Sequence, residues 1–171
     1  MEKKVNFSIL GCGGIAAMMA KTVAKLENIN LYSVASRTLT KAENFAQEYG
    51  FQKAYGSYES MVSDSNIDII YIATPHSKHY ENSILCLNNN QNILVEKAFT
   101  LDSKQAQEVI SLAKEKRLLC VEAMWTRFQP LMVKINECLK DEYIGEITSV
   151  SVSLGYDFRN IKRNWDLNLG G

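Results

Sequence analysis

Four groups of residues in this 171-residue chain have the types and spacing to do chemistry. The first is the run from Ile9 to Ala16, in which Gly11, Gly13 and Ala16 stand in G-x-G-x-x-A spacing. Gly11 permits a tight turn, Gly13 lets main chain approach a pyrophosphate, and Ala16 keeps the following helix close to the preceding strand. Gly14 and Ile15 then open a helix whose free N–H groups and positive dipole end suit a phosphate. This pattern predicts a dinucleotide site. The second group, Ser36-Arg37-Thr38, stands about 20 residues on, where a site for NAD(H) carries an Asp or Glu on the ribose hydroxyls. A carboxylate repels a 2′-phosphate, whereas a guanidinium pairs with it in bidentate fashion. Arg37 therefore predicts NADP(H) in preference to NAD(H).

The third group is Thr74-Pro75-His76 with His79 close behind, and the fourth is Glu96-Lys97. Both follow apolar, strand-like runs, and ligands of open α/β sheets sit at the carboxyl ends of strands. His79 is expected to begin a helix, face the cleft and serve with Lys97 as a catalytic residue. The pair His76 and His79 lacks a third nearby ligand, so no metal site is expected. Lys97 falls where the nicotinamide end should reach. Its ammonium can hydrogen-bond a substrate oxygen, polarise it for hydride transfer and carry a proton, with Glu96 orienting it. Beyond the next strand, Trp125 and Phe128 are candidates to wall a ring-shaped pocket, and Arg127 stands between them.

Regular elements must position these groups. Residues 5–10 alternate apolar and polar as a first strand, and Ile15, Met19, Val23 and Leu26 recur as one helix face. Residues 31–36, 67–73, 92–95 and 118–121 read as further strands, with 67–73 nearly continuous in apolar and β-branched residues, as in a parallel sheet buried on both sides. Thr40 with Glu43 predicts a capping box, with Gly50 as the stop of that helix. Ser57 and Asp102 are expected caps, and Pro130 the first residue of a helix striped by Leu131, Ile135, Cys138 and Leu139. Residues 147–156 alternate strictly, predicting a half-exposed strand of a different, antiparallel sheet. The reading is an α/β fold, a Rossmann-type doubly wound parallel sheet, followed by the first strand of a truncated α+β substrate domain. Residues 1–123 form the NADP-binding domain, and residues 124–171 a linking helix and the start of an incomplete second domain.

Nineteen basic residues balance nineteen acidic ones, so no broad field selects nucleic acid or an anionic membrane as partner. No apolar run approaches the roughly 20 residues of a membrane span. A cytoplasmic location is expected, since residues 1–5 lack an apolar leader. Cys12, Cys86, Cys120 and Cys138 are scattered and read as free thiols.

Taken together, Gly11 to Ala16, Ala73-Thr74-Pro75-His76, Glu96-Lys97 and Glu122-Ala123-Met124-Trp125-Thr126-Arg127-Phe128 resemble the Gfo/Idh/MocA oxidoreductases. Within that family, Ser36-Arg37 and the Trp125 to Phe128 string look most like the trans-1,2-dihydrobenzene-1,2-diol dehydrogenase branch, which is NADP-dependent. The resemblance implies that Lys97 lies at the substrate, although Ala98 replaces the usual proline of the Glu-Lys-Pro motif. It also implies that Thr74, Pro75 and His79 flank the nicotinamide and that Trp125 and Arg127 stand near the cleft. The expected partner is a small-molecule substrate, a cyclic diol or sugar, and the expected assembly a homo-oligomer formed through a C-terminal sheet. The family's further catalytic groups lie beyond a Gly-Gly pair matching Gly170-Gly171, so this chain reads as a cofactor-binding fragment. The alternative is a non-catalytic dinucleotide-binding or regulatory module, which has no need of Lys97 with His79.

Overall fold

The computed structural model describes residues 3–161 and 165–169. The Gly170-Gly171 pair lies outside them. Six strands, β1 (Val5–Leu10), β2 (Ile29–Ala35), β3 (Lys53–Tyr55), β4 (Ile69–Ile72), β5 (Ile93–Val95) and β6 (Cys120–Glu122), pair in the order β3-β2-β1-β4-β5-β6. Every pairing is parallel. The order reverses beside β1, so α1 (Gly14–Val23) and α2 (Leu39–Tyr49) cover one face, and α4 (His79–Asn88) and α5 (Ser103–Lys116) pack on the other. The short α3 (Tyr58–Val62) joins the second face through Met61 and Val62. Because side chains alternate along a strand, β4 sends Ile70 and Ile72 into one core and Tyr71 into the other. All three are fully buried, which is why this strand reads as one apolar run.

Polar groups inside the sheet are paired. Ser8 and Ser33 on β1 and β2 share a 2.7 Å hydroxyl contact. At the edge away from the strands' carboxyl ends, Asp64 accepts from Lys53 Nζ at 2.8 Å, Tyr55 at 2.7 Å and Tyr32 at 3.0 Å, fastening β3 to the chain entering β4. Burial works against the Asp64 carboxylate, yet the donors from Lys53, Tyr55 and Asn66 outweigh it and hold the group well below the usual carboxylate range.

Three expectations are corrected. The helix expected to open at Thr40 begins at Leu39 with Thr38 as its extended N-cap, so no capping box forms at Thr40; the stop at Gly50, φ 81°, is as expected. The Ser57 and Asp102 caps form, on Ser60 N and Gln105 N. Residues 147–156 carry neither helix nor strand and stand exposed. A strand exists only through its ladder, and no other described segment lies alongside to pair with it. His79, expected to face the cleft, is fully buried. Its ring finds two carbonyl partners beneath the surface, and apolar periodicity alone does not reveal such a choice. After β6 the chain makes a 3-10 turn at Trp125–Phe128 and enters α6 (Pro130–Lys140), with Pro130 first as expected and none of whose residues is buried.

Candidate functional site

The turn after β1 is built for close approach. Gly11 has φ 108°, and a Cβ there would stand 2.8 Å from the carbonyl oxygen of Ala73 at the end of β4. Its N–H donates to Ala35 O of β2 at 2.9 Å. Gly11 is therefore the point where the ends of β1, β2 and β4 meet. Gly13 differs: its backbone is extended, and a Cβ there would meet nothing within 4 Å. The space over Gly13 is open, as a phosphate cradle requires.

That space belongs to a cavity of about 430 Å³ over the carboxyl ends of β1, β2 and β4. Its wall includes Gly11, Cys12 and Gly13 from the first turn, Ser36, Arg37, Thr38 and Lys41 from the second, and Thr74 and Pro75 from the third. Of the helices that begin around it, α1 and α2 are distinguished by their electrostatics. Neither α1, capped by Gly13, nor α2, capped by Thr38, has a side-chain cap bond or an acidic residue in its first turn. By contrast α3, whose first residue Tyr58 also lines the cavity, and α5, whose residues do not, are capped by their own Ser57 and Asp102. Two helix N-termini with unanswered N–H groups beside Arg37 and Lys41 give this end of the cavity the chemistry to take an anion, while Glu81, paired with Lys78 at 3.0 Å, also stands in its wall. The pyrophosphate of a dinucleotide fits the open space over Gly13.

Lys41 and Tyr58 were not anticipated. Lys41 follows Arg37 by four positions and reaches the cavity because α2 starts early enough to turn it inward. Tyr58, first residue of α3, is close enough to Arg37 to feel its charge; burial raises its phenol pKa and Arg37 pulls it down. Cys12 is half-buried in the wall. Burial pushes its thiol up against the opposing pull of Lys41 and Ser36, so it stays an unreactive thiol. Ser77 and Lys78 complete the opposite rim, where Ser77 Oγ donates to Asn168 O at 2.8 Å and brings Asn168 and Leu169 over the cavity.

The residues expected at the reactive end stand further along the same sheet edge. From β2 to β5 are three strand intervals, roughly 14 Å at the usual spacing of ~4.8 Å. Lys97 follows β5 with an exposed side chain, and its Nζ has no ion-pair partner among the described residues. Glu96 does not hold that ammonium. Its carboxylate takes the Tyr71 hydroxyl at 2.5 Å and the Lys97 main-chain N–H at 3.1 Å. Burial and this bond raise the Tyr71 phenol far above its ordinary value, so it remains a donor. The His79 ring places Nδ1 2.7 Å from Ala98 O and Nε2 2.9 Å from Thr74 O. A neutral imidazole has one N–H and can donate to only one of these. His76 sits edge-on to His79, ring centroids 5.5 Å apart. Trp125 and Arg127 lie beyond β6, both exposed. The structure thus gathers Gly11, Gly13, Ser36, Arg37, Thr74 and Pro75 in one wall. Gly14, Ile15, His76, His79, Glu96, Lys97, Trp125 and Arg127 stand outside it.

Residues 5–123 match the model of the Gfo/Idh/MocA family, described as an oxidoreductase family with an NAD-binding Rossmann fold. The chain belongs to this family. It is 37% identical over 139 residues to the trans-1,2-dihydrobenzene-1,2-diol dehydrogenase of Xenopus tropicalis, a match covering 81% of this chain and 42% of that one. It is 39% identical over 155 residues to the D-xylose 1-dehydrogenase (NADP(+)) of Hypocrea jecorina, covering 84% and 40%. Among solved structures, an NAD binding oxidoreductase from Klebsiella pneumoniae superposes with a TM-score of 0.80 at 22% identity, over 84% of this chain and 40% of that chain, a likeness of fold. The match thus spans about two fifths of these relatives. The matched residues include the strand ends of β1, β2 and β4 around which the cavity lies.

Proposed function

We propose that this chain is the cofactor-binding part of a cytoplasmic NADP(H)-dependent oxidoreductase. It would move hydride to or from a secondary alcohol or carbonyl of a cyclic diol or sugar. The names of two relatives, a dihydrodiol dehydrogenase and an NADP(+) xylose dehydrogenase, support that substrate class. One observation carries the cofactor choice: Ser36, Arg37 and Lys41 line one end of the anion cavity, and no carboxylate follows β2. A guanidinium and an ammonium attract a 2′-phosphate and offer nothing comparable to ribose hydroxyls.

Each residue has a task. The N–H groups of Gly14 and Ile15 at the start of α1 hold the pyrophosphate, and Gly13 leaves it room. Thr74, Pro75 and His76, after β4, flank the nicotinamide. The bound cofactor supplies the hydride chemistry. Lys97, free of an ion-pair partner, hydrogen-bonds the substrate oxygen and transfers its proton there, while Trp125 and Arg127 border the substrate side. His79, buried, positions these loops rather than touching substrate. Residues 124–171 form the link to a substrate domain, and a homo-oligomer through that domain is the proposed assembly.

The experiment is a fluorescence titration of the chain with NADPH and NADH. NADPH should bind more than about tenfold tighter, roughly 1.4 kcal/mol, and Arg37→Ala should abolish the difference. Equal affinities in the wild type would remove the argument from Arg37 and Lys41.

A further inference from the structure

Three consecutive main-chain groups around Lys97 are each held by a side chain. Glu96 Oε2 accepts from Lys97 N–H at 3.1 Å, the His79 ring meets Ala98 O at 2.7 Å, and Glu122 Oε1 accepts from Phe99 N–H at 3.1 Å. The holders are rooted on different elements. Glu96 is braced by Tyr71 of β4, and His79, on α4, reaches back to Thr74 O at 2.9 Å. Thr74 is itself fixed by Asn82 Nδ2 on its hydroxyl at 3.0 Å. Glu122 ends β6, and the next residue, Ala123, donates its N–H to Val95 O of β5 at 2.7 Å.

This is costly for a loop of three residues. Glu96 and His79 are 9% and 0% exposed. Ionisable side chains taken out of water are weak contributors to stability, and apolar replacements of similar shape often serve as well. Backbone–backbone bonds are about two-thirds of all protein hydrogen bonds, whereas here main-chain groups of residues 97, 98 and 99 are each met by a side chain. Here β4, α4 and β6 all converge on the segment that carries one exposed functional side chain, Lys97.

We propose that His79 and Glu122, together with Glu96, are positioning residues that aim Lys97 by gripping the main chain at residues 97–99, none of them touching the reacting atoms. The inference rests on the reading of Lys97 as the substrate-facing ammonium. Glu122 is the novel member: it lies one strand beyond Lys97 and acts through Phe99. Its carboxylate is needed as an acceptor, so an amide in its place keeps the grip and a methyl group loses it.

The test uses the chain with lysines reductively methylated by ¹³C-formaldehyde, the Lys97 resonance being assigned by its absence in Lys97→Arg. NADPH affinity is followed by fluorescence, and the order of the Lys97 and Phe99 amides by ¹⁵N relaxation without ligand. In Glu122→Ala, both amides should become mobile and the NADPH-induced shift of Lys97 should be lost, while the NADPH Kd stays within about threefold of wild type. Glu122→Gln should restore order and shift together. His79→Gln, which retains one donor, should loosen the segment from the α4 side and give the second reading. Unchanged amide order and a full Lys97 shift in Glu122→Ala would overturn the proposal. So would loss of NADPH affinity in parallel with the shift, because that marks a general structural role. Failure of the wild-type chain to bind NADPH would instead remove the dinucleotide reading, and the relaxation data would still report on the grip.

Discussion

A glycine can be required by the fold or by a ligand, and the two in the first turn divide that way. Gly11 has a positive φ and no room for a Cβ against Ala73 O, whereas Gly13 has extended backbone and open space above it. Gly11→Ala should therefore lower stability by about 1–3 kcal/mol, seen as an earlier urea midpoint with no ligand present. Gly13→Ala should unfold like the wild type yet lose NADPH binding, since its methyl group enters the volume the pyrophosphate needs. The reverse pattern would mean that the cavity over Gly13 is not the phosphate site. At this scale the sequence was informative where a residue type has one purpose, as for Gly11, whose positive φ and lack of room for a Cβ match the tight turn its spacing asks for. It was uninformative where a side chain chooses between two environments. His79 has the same spacing whether it faces a cleft or lies beneath two loops, and only packing decides that its ring meets Thr74 O and Ala98 O.

Elements were legible as far as local signals reach. Strand β4 declared itself by β-branched and apolar residues buried on both sides, and α5 by its cap, in which Asp102 accepts from Gln105 N–H while Gln105 Oε1 accepts from Leu101 N–H. The start of α2 was placed two residues late because Thr40 and Glu43 imitate a capping box. The actual N-cap, Thr38, makes no side-chain bond at all. That small shift hid Lys41, whose reach into the cavity depends on where the helix begins. It also yields a prediction with opposed signs. Thr38→Asp supplies the missing cap and a favourable charge at the helix dipole, so α2 and the protein should gain about 0.5–1 kcal/mol. The same carboxylate lines the cavity beside Arg37 and Lys41 and repels a 2′-phosphate. Thermal unfolding should shift upward while NADPH affinity falls by about tenfold or more. A variant that gains stability and keeps its NADPH affinity would show that the N-terminus of α2 does not face the phosphate.

Across the whole molecule, burial is uneven in a direction that follows the sheet order. The strands β1, β2 and β4 are enclosed on both faces, but beyond β6 the apolar residues turn outward. Trp125, Phe128 and Leu131 are each more than 60% exposed, and Ile135 on the same helix is 40% exposed. The periodicity that announced α6 was correct about the helix, but its stripe is exposed at Leu131 and Ile135 and only half-buried at Cys138 and Leu139. Exposed apolar residues clustered to this degree drive association in water. Sedimentation of the 171-residue chain should therefore show concentration-dependent self-association, and Leu131→Lys with Ile135→Glu should suppress it. Neither residue lines the cavity. NADPH affinity should accordingly match that of the parent chain in the double variant. A chain that stays monomeric at high concentration, or a double variant that loses cofactor affinity, would show that α6 is bound to the Rossmann core more tightly than its exposure indicates.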